Sequence, residues 1–218
     1  MPLVVPPLTA MLRQSKVPYQ IILVDNGSSD STGGIIDRLA ASDSNVCKVH
    51  VPINRGYGLG IRTGLKQARG EFVAYMPGDG QTQPEDLVAT YNAMLQCPAR
   101  SVVKGVRVVR DEGAIRALMS LVYRTVFKLL FGFTDPDVNG VPKMIRRLDL
   151  EQLNLNNDQS FICAELLVKA HKFGFQIIQV PVQSIRRVSG KSKVTPFYPI
   201  VMLSQMVMFR LKRGWESR

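Results

Sequence analysis

The sequence is poor in the residues that build metal centres and disulfide frameworks. It has two histidines, His50 and His171, and three cysteines at Cys47, Cys97 and Cys163, with no CxxC spacing among them. Isolated imidazoles and scattered thiols argue against a zinc site and against a disulfide scaffold. They suit a reducing compartment.

Acidic residues are scarce as well. The chain has 17 Asp and Glu against 28 Lys and Arg, which gives a net charge of +11. Such an excess predicts an anionic partner: a nucleic acid, a phosphorylated substrate or an acidic membrane surface. No run of ~20 apolar residues is present, so no segment is expected to span a bilayer as an ordinary helix. The start, MPLVVPPLTAML, has no basic n-region and is not expected to be a signal peptide.

Strand and helix patterns alternate along the 218 residues, and we expect one domain covering 1–218. Strand-helix-strand repetition predicts an α/β fold with a mostly parallel sheet flanked by helices. Strands are predicted at 20–25, 45–51, 71–76, 101–109 and 176–182. Helices are predicted at 31–41, 58–69, 84–96, 114–131, 161–172 and 197–212, and the segment 132–147 is predicted to be a loop.

Two polar turns follow predicted strands, at the end of the sheet where α/β proteins collect ligands. The first is VDNGSSDST, in which Asp25, Ser28 and Asp30 would lie together. A carboxylate there can accept hydrogen bonds from a nucleotide base or ribose, and hydroxyl groups can donate others. The alternative is a turn followed by a helix cap, since Asp, Asn, Gly and Ser favour both.

The second turn is PGDGQTQPED, in which two glycines flank an acid. Hard divalent cations are often held by one or two carboxylates together with substrate phosphates. Asp79 and Gln81 could each supply one oxygen ligand, while Gly78 and Gly80 let the backbone come close. The alternative is a tight turn leading into a helix capped near Thr82.

Four stretches in order make the sequence resemble the family 2 glycosyltransferases of the GT-A fold, especially the dolichol- and polyprenyl-phosphate sugar synthases. They cover most of residues 20 to 193 and read IILVDNGSSDST, NRGYGLGIRTGLKQARGEFVAYMPGDGQTQPEDL, DVNGVPKMIRR and FICAELLVKAHKFGFQIIQVPVQSIRRVSGKSK. The resemblance implies an enzyme that moves a sugar from a nucleotide diphosphate, with inversion. A Mg or Mn ion would bridge protein and diphosphate, and a polyprenyl or dolichyl phosphate would be the acceptor.

The resemblance also implies roles for single residues. Asp25 matches the base-binding acid of the family, with Ser28 and Asp30 beside it. Asp79 matches the last acid of its DxD motif, and Gln81 matches a glutamine that reaches the metal. Arg62 lies in the helix that faces the nucleotide, although it could be a solvated surface arginine. Glu165 matches a helix acid near the acceptor and is a candidate catalytic residue with Asp79; the alternative is an exposed carboxylate.

A basic loop follows the last predicted strand and reads RRVSGKSK. In the resembling enzymes this loop supplies cations to the lipid phosphate and the donor diphosphate, which implies Arg187, Lys191 and Lys193 as phosphate-binding residues. Arginine binds phosphate oxygens bidentately and lysine acts as a point charge. The alternative is a solvated charged loop.

The sequence departs from the family pattern at two places, and these departures leave two alternative functions. Pro77 stands where the DxD motif has its first acid, and the chain opens at the helix that follows the first strand of the family, so that strand is expected to be missing. The first function is an active glycosyltransferase. The second is a catalytically silent homologue that binds a nucleotide sugar or serves as a partner subunit. A nucleic-acid binder is disfavoured because the chain lacks a recognition element or an aromatic-rich basic surface.

The final predicted helix, 197–212, is apolar almost all round and ends in cations. It could pack as an ordinary core helix. Alternatively it lies in the membrane interface with the helix at 114–131, which has a similar mixture of Leu, Phe and Arg. The second interpretation predicts a cytoplasmic protein that is peripheral on the cytoplasmic face of a membrane.

Overall fold

The computed structural model describes residues 1–108, 114–183 and 198–212, and within them eight helices and six strands. The helices are α1 Val5–Gln14, α2 Thr32–Ser42, α3 Tyr57–Leu65, α4 Pro84–Leu95, α5 Ala114–Phe131, α6 Arg147–Leu153, α7 Ile162–Lys172 and α8 Tyr198–Leu211. The strands are β1 Ile21–Asn26, β2 Val46–Val51, β3 Phe72–Tyr75, β4 Ser101–Arg107, β5 Lys143–Arg146 and β6 Gln176–Val182.

The strands form two hydrogen-bonded groups within the described residues. Strands β1 and β2 pair in parallel, and a second sheet has the order β3-β5-β4-β6. Strand β5 is antiparallel to both β3 and β4, and β4 is parallel to β6. It follows that β3, β4 and β6 all run in one direction. The α/β class is confirmed, while the prediction of a loop over 132–147 was wrong, since β5 and the start of α6 lie there.

The first element of the chain is helix α1, which precedes β1 as the sequence predicted. Its residues Val5 and Leu8 are buried, and Val5 packs with Leu23 of β1, Ile36 of α2 and Val46 of β2 in one apolar cluster. Helix α3 packs against β1 and also against β3. The same helix therefore contacts both groups of strands.

Helix α7 is the centre of the largest apolar cluster. All nine residues from Ile162 to Ala170 are buried, whereas an ordinary surface helix buries one stripe. Phe161, Phe127 of α5 and Phe209 of α8 pack into the same cluster, with 5.0 Å between the ring centroids of Phe161 and Phe209. Because α7 is covered on all sides from Ile162 to Ala170, Glu165 and Lys169 are forced into the interior.

Two buried lysines are neighbours across the second sheet. Lys143 of β5 is in register with Lys104 of β4 on one side and with Tyr75 of β3 on the other. The Lys143 ammonium donates to the backbone carbonyl of Val138 at 3.0 Å and also to that of Gly140. The pKa of Lys143 is lowered from 10.5 to about 8, chiefly by burial and also by the charge of Lys104, against the opposing effects of Cys163, Asp137 and Asp135.

The lowered pKa of Lys143 predicts a pH-dependent stability. Between pH 8 and 10.5 the unfolded chain holds a proton that the folded protein has released, so the free energy of unfolding rises with pH. Relative to Lys143→Met, we expect the wild type to gain about 1 kcal/mol per pH unit in this window. Urea unfolding at several pH values measures this difference. The exposed Lys66→Met is the control and should follow the wild type; parallel curves for Lys143→Met would contradict the burial argument.

Candidate active site

The carboxyl ends of β3, β4 and β6 lie along one edge of the second sheet, because these strands share a direction. The turn 77–81 follows β3, and the loop 132–142 meets the end of β4. At that edge Tyr75, the last residue of β3, lies beside Tyr57 at the start of α3 and Glu165 of α7. Helix α3 begins beside the end of β1, since the Asn26 side chain donates to the Gly56 carbonyl at 2.9 Å. The ends of β1 and β3 therefore border a common region.

Asp25 is held as a buried carboxylate at the end of β1. It is 4% exposed, its Oδ1 accepts the backbone N–H of Ser28 at 3.0 Å, and its Oδ2 lies 3.3 Å from Nδ1 of His50. The Ser28 hydroxyl lowers the pKa of Asp25 most; the Ser28 backbone N–H and His50 add to this, against the opposing effect of burial. Asp25 is thus a preorganised hydrogen-bond acceptor that stays ionised.

The other residues of the first turn shape the backbone. Asp30 is exposed, and its Oδ1 accepts the backbone N–H of Thr32 at 3.0 Å, which is the turn alternative for this residue, directly before the N-cap residue Ser31. Gly27 has φ +65°, and a Cβ there would lie 2.6 Å from the backbone nitrogen of Asn54. Only glycine fits this close approach. The structure therefore brings Asp25 and Ser28 together, while the described contact of Asp30 serves the helix.

The second turn places Asp79 and Gln81 next to each other at the end of β3. Both are half-buried, and the backbone N–H of Gln81 donates to Oδ1 of Asp79 at 3.1 Å. Helix α4 starts directly afterwards with a capping box between Gln83 and Asp86, one residue later than the predicted cap at Thr82. Within the described residues, no group of three His, Cys, Asp or Glu is arranged to hold a metal ion.

The donor set of this turn nevertheless fits a divalent ion that a ligand helps to bind. Asp79 offers a carboxylate and Gln81 an amide oxygen, both hard oxygen ligands of the kind Mg and Mn prefer. One carboxylate is too little for a metal cage built by protein alone. The turn is therefore suited to a metal that arrives with a diphosphate.

A loop at residues 154–159 closes over the start of α3. The backbone N–H of Leu59 donates to the carbonyl of Asp158 at 3.0 Å, and a Cβ on Gly56 would lie 2.3 Å from that oxygen. The Arg62 guanidinium donates to the Asn156 carbonyl at 3.0 Å and forms an ion pair with the Asp158 carboxylate. Arg62 was predicted to bind the nucleotide. In the structure it binds this loop to α3, and its contact with a nucleotide stays a prediction.

Glu165 holds the same loop from the other side. It is fully buried, and its two carboxylate oxygens accept the backbone N–H groups of Asn156 at 2.9 Å and Asn157 at 2.8 Å. The ammonium of Lys169, also fully buried, lies 3.1 Å from Glu165 and donates to the Asn154 carbonyl at 2.7 Å. The exposed-carboxylate alternative for Glu165 was wrong. Its catalytic role stays a prediction, and its contacts favour positioning the loop.

Tyr75, the last residue of β3, lies close to Cys163 near the start of α7. Burial raises the pKa of the Tyr75 hydroxyl well above its usual range, and the neighbouring Cys163, Tyr57 and Glu165 raise it further. A phenol in such surroundings stays protonated and can act only as a neutral hydrogen-bonding group near neutral pH.

A buried polar network beneath the loop 132–142 was not predicted from the sequence. Lys104 of β4 forms an ion pair with Asp135 and donates to the carbonyl of Asp137, while Arg107 binds the Asp137 carboxylate with two nitrogens at 2.8 Å. A lysine inside the apolar run SVVKGV was the available signal. His50 was missed too, because only the register of β1 with β2 places it opposite Asp25.

The predicted phosphate-binding residues Arg187, Lys191 and Lys193 lie in the segment 184–197, outside the described residues. Strand β6 ends at Val182, and one residue, Gln183, separates it from this segment. Their role stays a prediction.

The Glu165–Lys169 pair allows a thermodynamic test. Removing one partner leaves the other charge buried, so Glu165→Gln and Lys169→Met should each lower the free energy of unfolding by about 3–5 kcal/mol. The double variant should lose less than the sum, because no buried charge is left alone. Denaturant unfolding measures all three.

The control for this cycle is Glu151→Gln on α6. Glu151 is 59% exposed and pairs with Arg147 at 2.8 Å on the surface. This change should lower the free energy of unfolding by less than about 1 kcal/mol. Losses of that small size for Glu165→Gln and Lys169→Met would show that the buried pair does not hold the loop.

The fold and the polar strand ends define an α/β protein with a ligand edge of the nucleotide-binding kind. The sequence model described as "Glycosyl transferase family 2" matches residues 4–153. The chain belongs to this family.

Several characterised relatives act on lipid phosphates according to their names. The chain is 24% identical over 211 residues to a dolichyl-phosphate beta-glucosyltransferase of Trichomonas vaginalis, covering 92% of this chain and 65% of that protein. It is 29% identical to an undecaprenyl-phosphate 4-deoxy-4-formamido-L-arabinose transferase of Serratia proteamaculans, covering 85% and 56%. It is 30% identical to a polyprenol monophosphomannose synthase of Mycolicibacterium smegmatis, covering 80% and 70%. The chain thus spans less than two thirds of the first two relatives.

Solved structures confirm the GT-A fold. A glucosyl-3-phosphoglycerate synthase of Mycobacterium tuberculosis, in complex with Mn2+, UDP-glucose and phosphoglyceric acid, superimposes with a TM-score of 0.64 at 18% identity. The superposition covers 90% of this chain and 69% of that one. At this identity the likeness concerns the fold alone.

Proposed function

We propose that this chain transfers a sugar from a nucleoside diphosphate sugar to a polyprenyl or dolichyl phosphate, with inversion at the anomeric carbon. The family supports a glycosyl transfer, and the relatives named for dolichyl, undecaprenyl and polyprenol phosphates support the lipid acceptor. The acceptor is a membrane lipid, so the proposal includes peripheral association with a membrane.

The observation that carries the proposal is the carboxylate of Asp25. A desolvated acid is normally shifted towards its neutral form, yet Ser28 and His50 keep the pKa of Asp25 low. A fixed, ionised acceptor at the end of a parallel strand suits the N–H groups of a nucleotide base or the hydroxyls of a ribose. We assign it to donor recognition, with Ser28 as its support.

Asp79 and Gln81 would hold a Mg or Mn ion together with the donor diphosphate. The ion would neutralise negative charge on the diphosphate as it leaves. The single protein carboxylate makes this binding depend on the nucleotide.

The reaction needs no strong general base. An oxygen of the acceptor phosphate, already ionised near neutral pH, attacks the anomeric carbon. The bond from this carbon to the diphosphate oxygen breaks, and its electron pair leaves with the nucleoside diphosphate. Attack from the side opposite the leaving group gives inversion. Glu165 can therefore act through the loop 154–159, which it positions against α3, without touching the substrate.

A second candidate function is a silent homologue that binds nucleotide sugar without transfer. Pro77 favours it, since the residue preceding Gly78 and Asp79 cannot supply a metal ligand from its side chain. Donor binding is expected under both functions, and only sugar transfer separates them.

Calorimetry with UDP- and GDP-sugars, with and without manganese, tests the donor site. We expect manganese to bind only when the nucleotide is present, and Asp79→Asn to abolish this enhancement. Asp25→Asn should weaken nucleotide binding, measured without metal, by about 1.5–3 kcal/mol, because a charged hydrogen bond is lost. Transfer of labelled sugar to a polyprenyl phosphate then tests the reaction.

The control is Glu85→Gln, which removes an exposed carboxylate near the same turn. It should leave both affinities unchanged. Tight manganese binding without nucleotide that survives Asp79→Asn would overturn the metal assignment. Donor binding without any transfer would decide for the silent homologue.

The basic segment gives a separate prediction. Arg187→Ala and Lys193→Ala should each weaken donor or acceptor binding by about 1.5–3 kcal/mol, since charge-assisted bonds to phosphate are lost. Steady-state kinetics with varied donor and varied acceptor measures the effect. Arg38→Ala, on the exposed side of α2, is the control. Unchanged kinetics in both variants would overturn the assignment of Arg187 and Lys193 to phosphate binding.

A further inference from the structure

Helix α5 is apolar on two opposite faces. One face is in the core, where Phe127 is fully buried and Tyr123 and Leu130 pack around it. The other face consists of Leu118, Leu121, Val122 and Leu129, exposed by 61%, 53%, 43% and 78%. Their spacing of three, four and seven residues places all four on one stripe of the helix. This stripe lies opposite the core face.

Helix α8 repeats this arrangement. Met202, Met206 and Phe209 are buried against the core, while Ile200, Val207 and Leu211 are exposed on the opposite side. An amphipathic surface helix would place polar residues there. Of the 16 large hydrophobic residues that are exposed in the described chain, ten lie on α5 or α8. Exposed apolar surface is thus concentrated on these two helices.

The two outward stripes lie on the same side of the protein. Helices α5 and α8 pack against each other, with 6.2 Å between the ring centroids of Phe131 and Phe209. Their core faces enter the same apolar cluster. The outward stripes, each opposite its own core face, therefore form one continuous surface, here called the α5–α8 face.

The charges that helices α5 and α8 themselves place beside this face are positive. Arg124 and Lys128 on α5, with Lys212 after α8, are exposed, and neither helix contains an Asp or Glu. A second copy of the chain would bring like charges together around a two-fold interface. An anionic surface would instead neutralise them. Charge complementarity therefore selects a bilayer with acidic headgroups over a dimer.

We infer that the α5–α8 face docks onto an anionic membrane surface, with its Leu, Ile and Val side chains in the acyl boundary and its cations on the headgroups. In this arrangement both helices lie parallel to the membrane surface. No helix in the described part of the chain is long and apolar enough to cross a membrane. The inference rests on the proposed lipid-phosphate acceptor and specifies which face of the protein meets the membrane.

Co-sedimentation with vesicles tests the face. The wild type should bind phosphatidylcholine vesicles containing phosphatidylglycerol at low salt and dissociate as salt rises. Leu129→Gln with Leu211→Gln should weaken binding roughly tenfold, since two apolar side chains leave the acyl boundary. Arg124→Glu with Lys128→Glu should weaken binding to anionic vesicles by a similar or larger factor and have little effect on purely neutral ones.

Matched changes elsewhere serve as controls. Leu95→Gln with Leu148→Gln alters two exposed leucines on α4 and α6, and Arg38→Glu with Lys66→Glu reverses two exposed cations on α2 and after α3. Both pairs should bind vesicles like the wild type, and circular dichroism should show every variant folded.

Three results would overturn the inference. These are a wild type that stays in the supernatant at low salt, face variants that bind like the controls, and a dimer in sedimentation velocity that Leu129→Gln with Leu211→Gln dissolves. Calorimetry with nucleotide sugars on the same samples reports the proposed function separately. If the protein binds donor but no vesicles, only the inference about the α5–α8 face is overturned. If it binds vesicles but no donor, only the assignment of the donor site is overturned.

Discussion

A lysine removed from water must find acceptors for its ammonium group, and three fully or almost fully buried lysines meet this requirement by binding loops around the candidate site. Lys104 and Lys143 hold the segment 135–140, and Lys169 holds the segment 154–159. Replacing both partners of a buried ion pair with apolar residues is often no less stable. The buried lysines fix the position of these two backbone segments, which form neither a strand nor a helix.

The sequence was sufficient for elements with strong local patterns. Helix α5 and strand β6 have the predicted limits, because their apolar periodicity and flanking turns specify them. Strand β5 was missed, since four residues after a turn-rich stretch carry too little pattern. Its pairing between β3 and β4 adds one antiparallel strand to a sheet whose other three strands run in the same direction. That pairing is set by contacts distant in sequence.

Within the site, too, features with a local sequence pattern could be predicted, and contacts between residues distant in sequence could not. Asp25 lies at the end of β1 and Asp79 lies in the turn after β3, and both positions follow from a local signal, a polar turn after an apolar run. The partner His50 comes from the neighbouring strand, and the partners of Glu165 come from the loop before α7. An acid on a helix can be recognised from sequence. Whether that acid is solvated or is buried and hydrogen-bonded depends on residues 154–157, which fold back against it.

Helix α7 is linked both to the candidate site and to helix α8 of the α5–α8 face. Its Glu165 holds the loop that meets α3, while the N–H of Phe161, just before it, donates to the side chain of Gln205 on α8 at 3.2 Å. Because α7 is buried all round, it has little freedom to move independently of either neighbour. A membrane contact that fixes α8 would therefore also fix the orientation of the donor region relative to the bilayer. For an acceptor whose phosphate lies at the headgroup level, that orientation determines which part of the site the phosphate reaches.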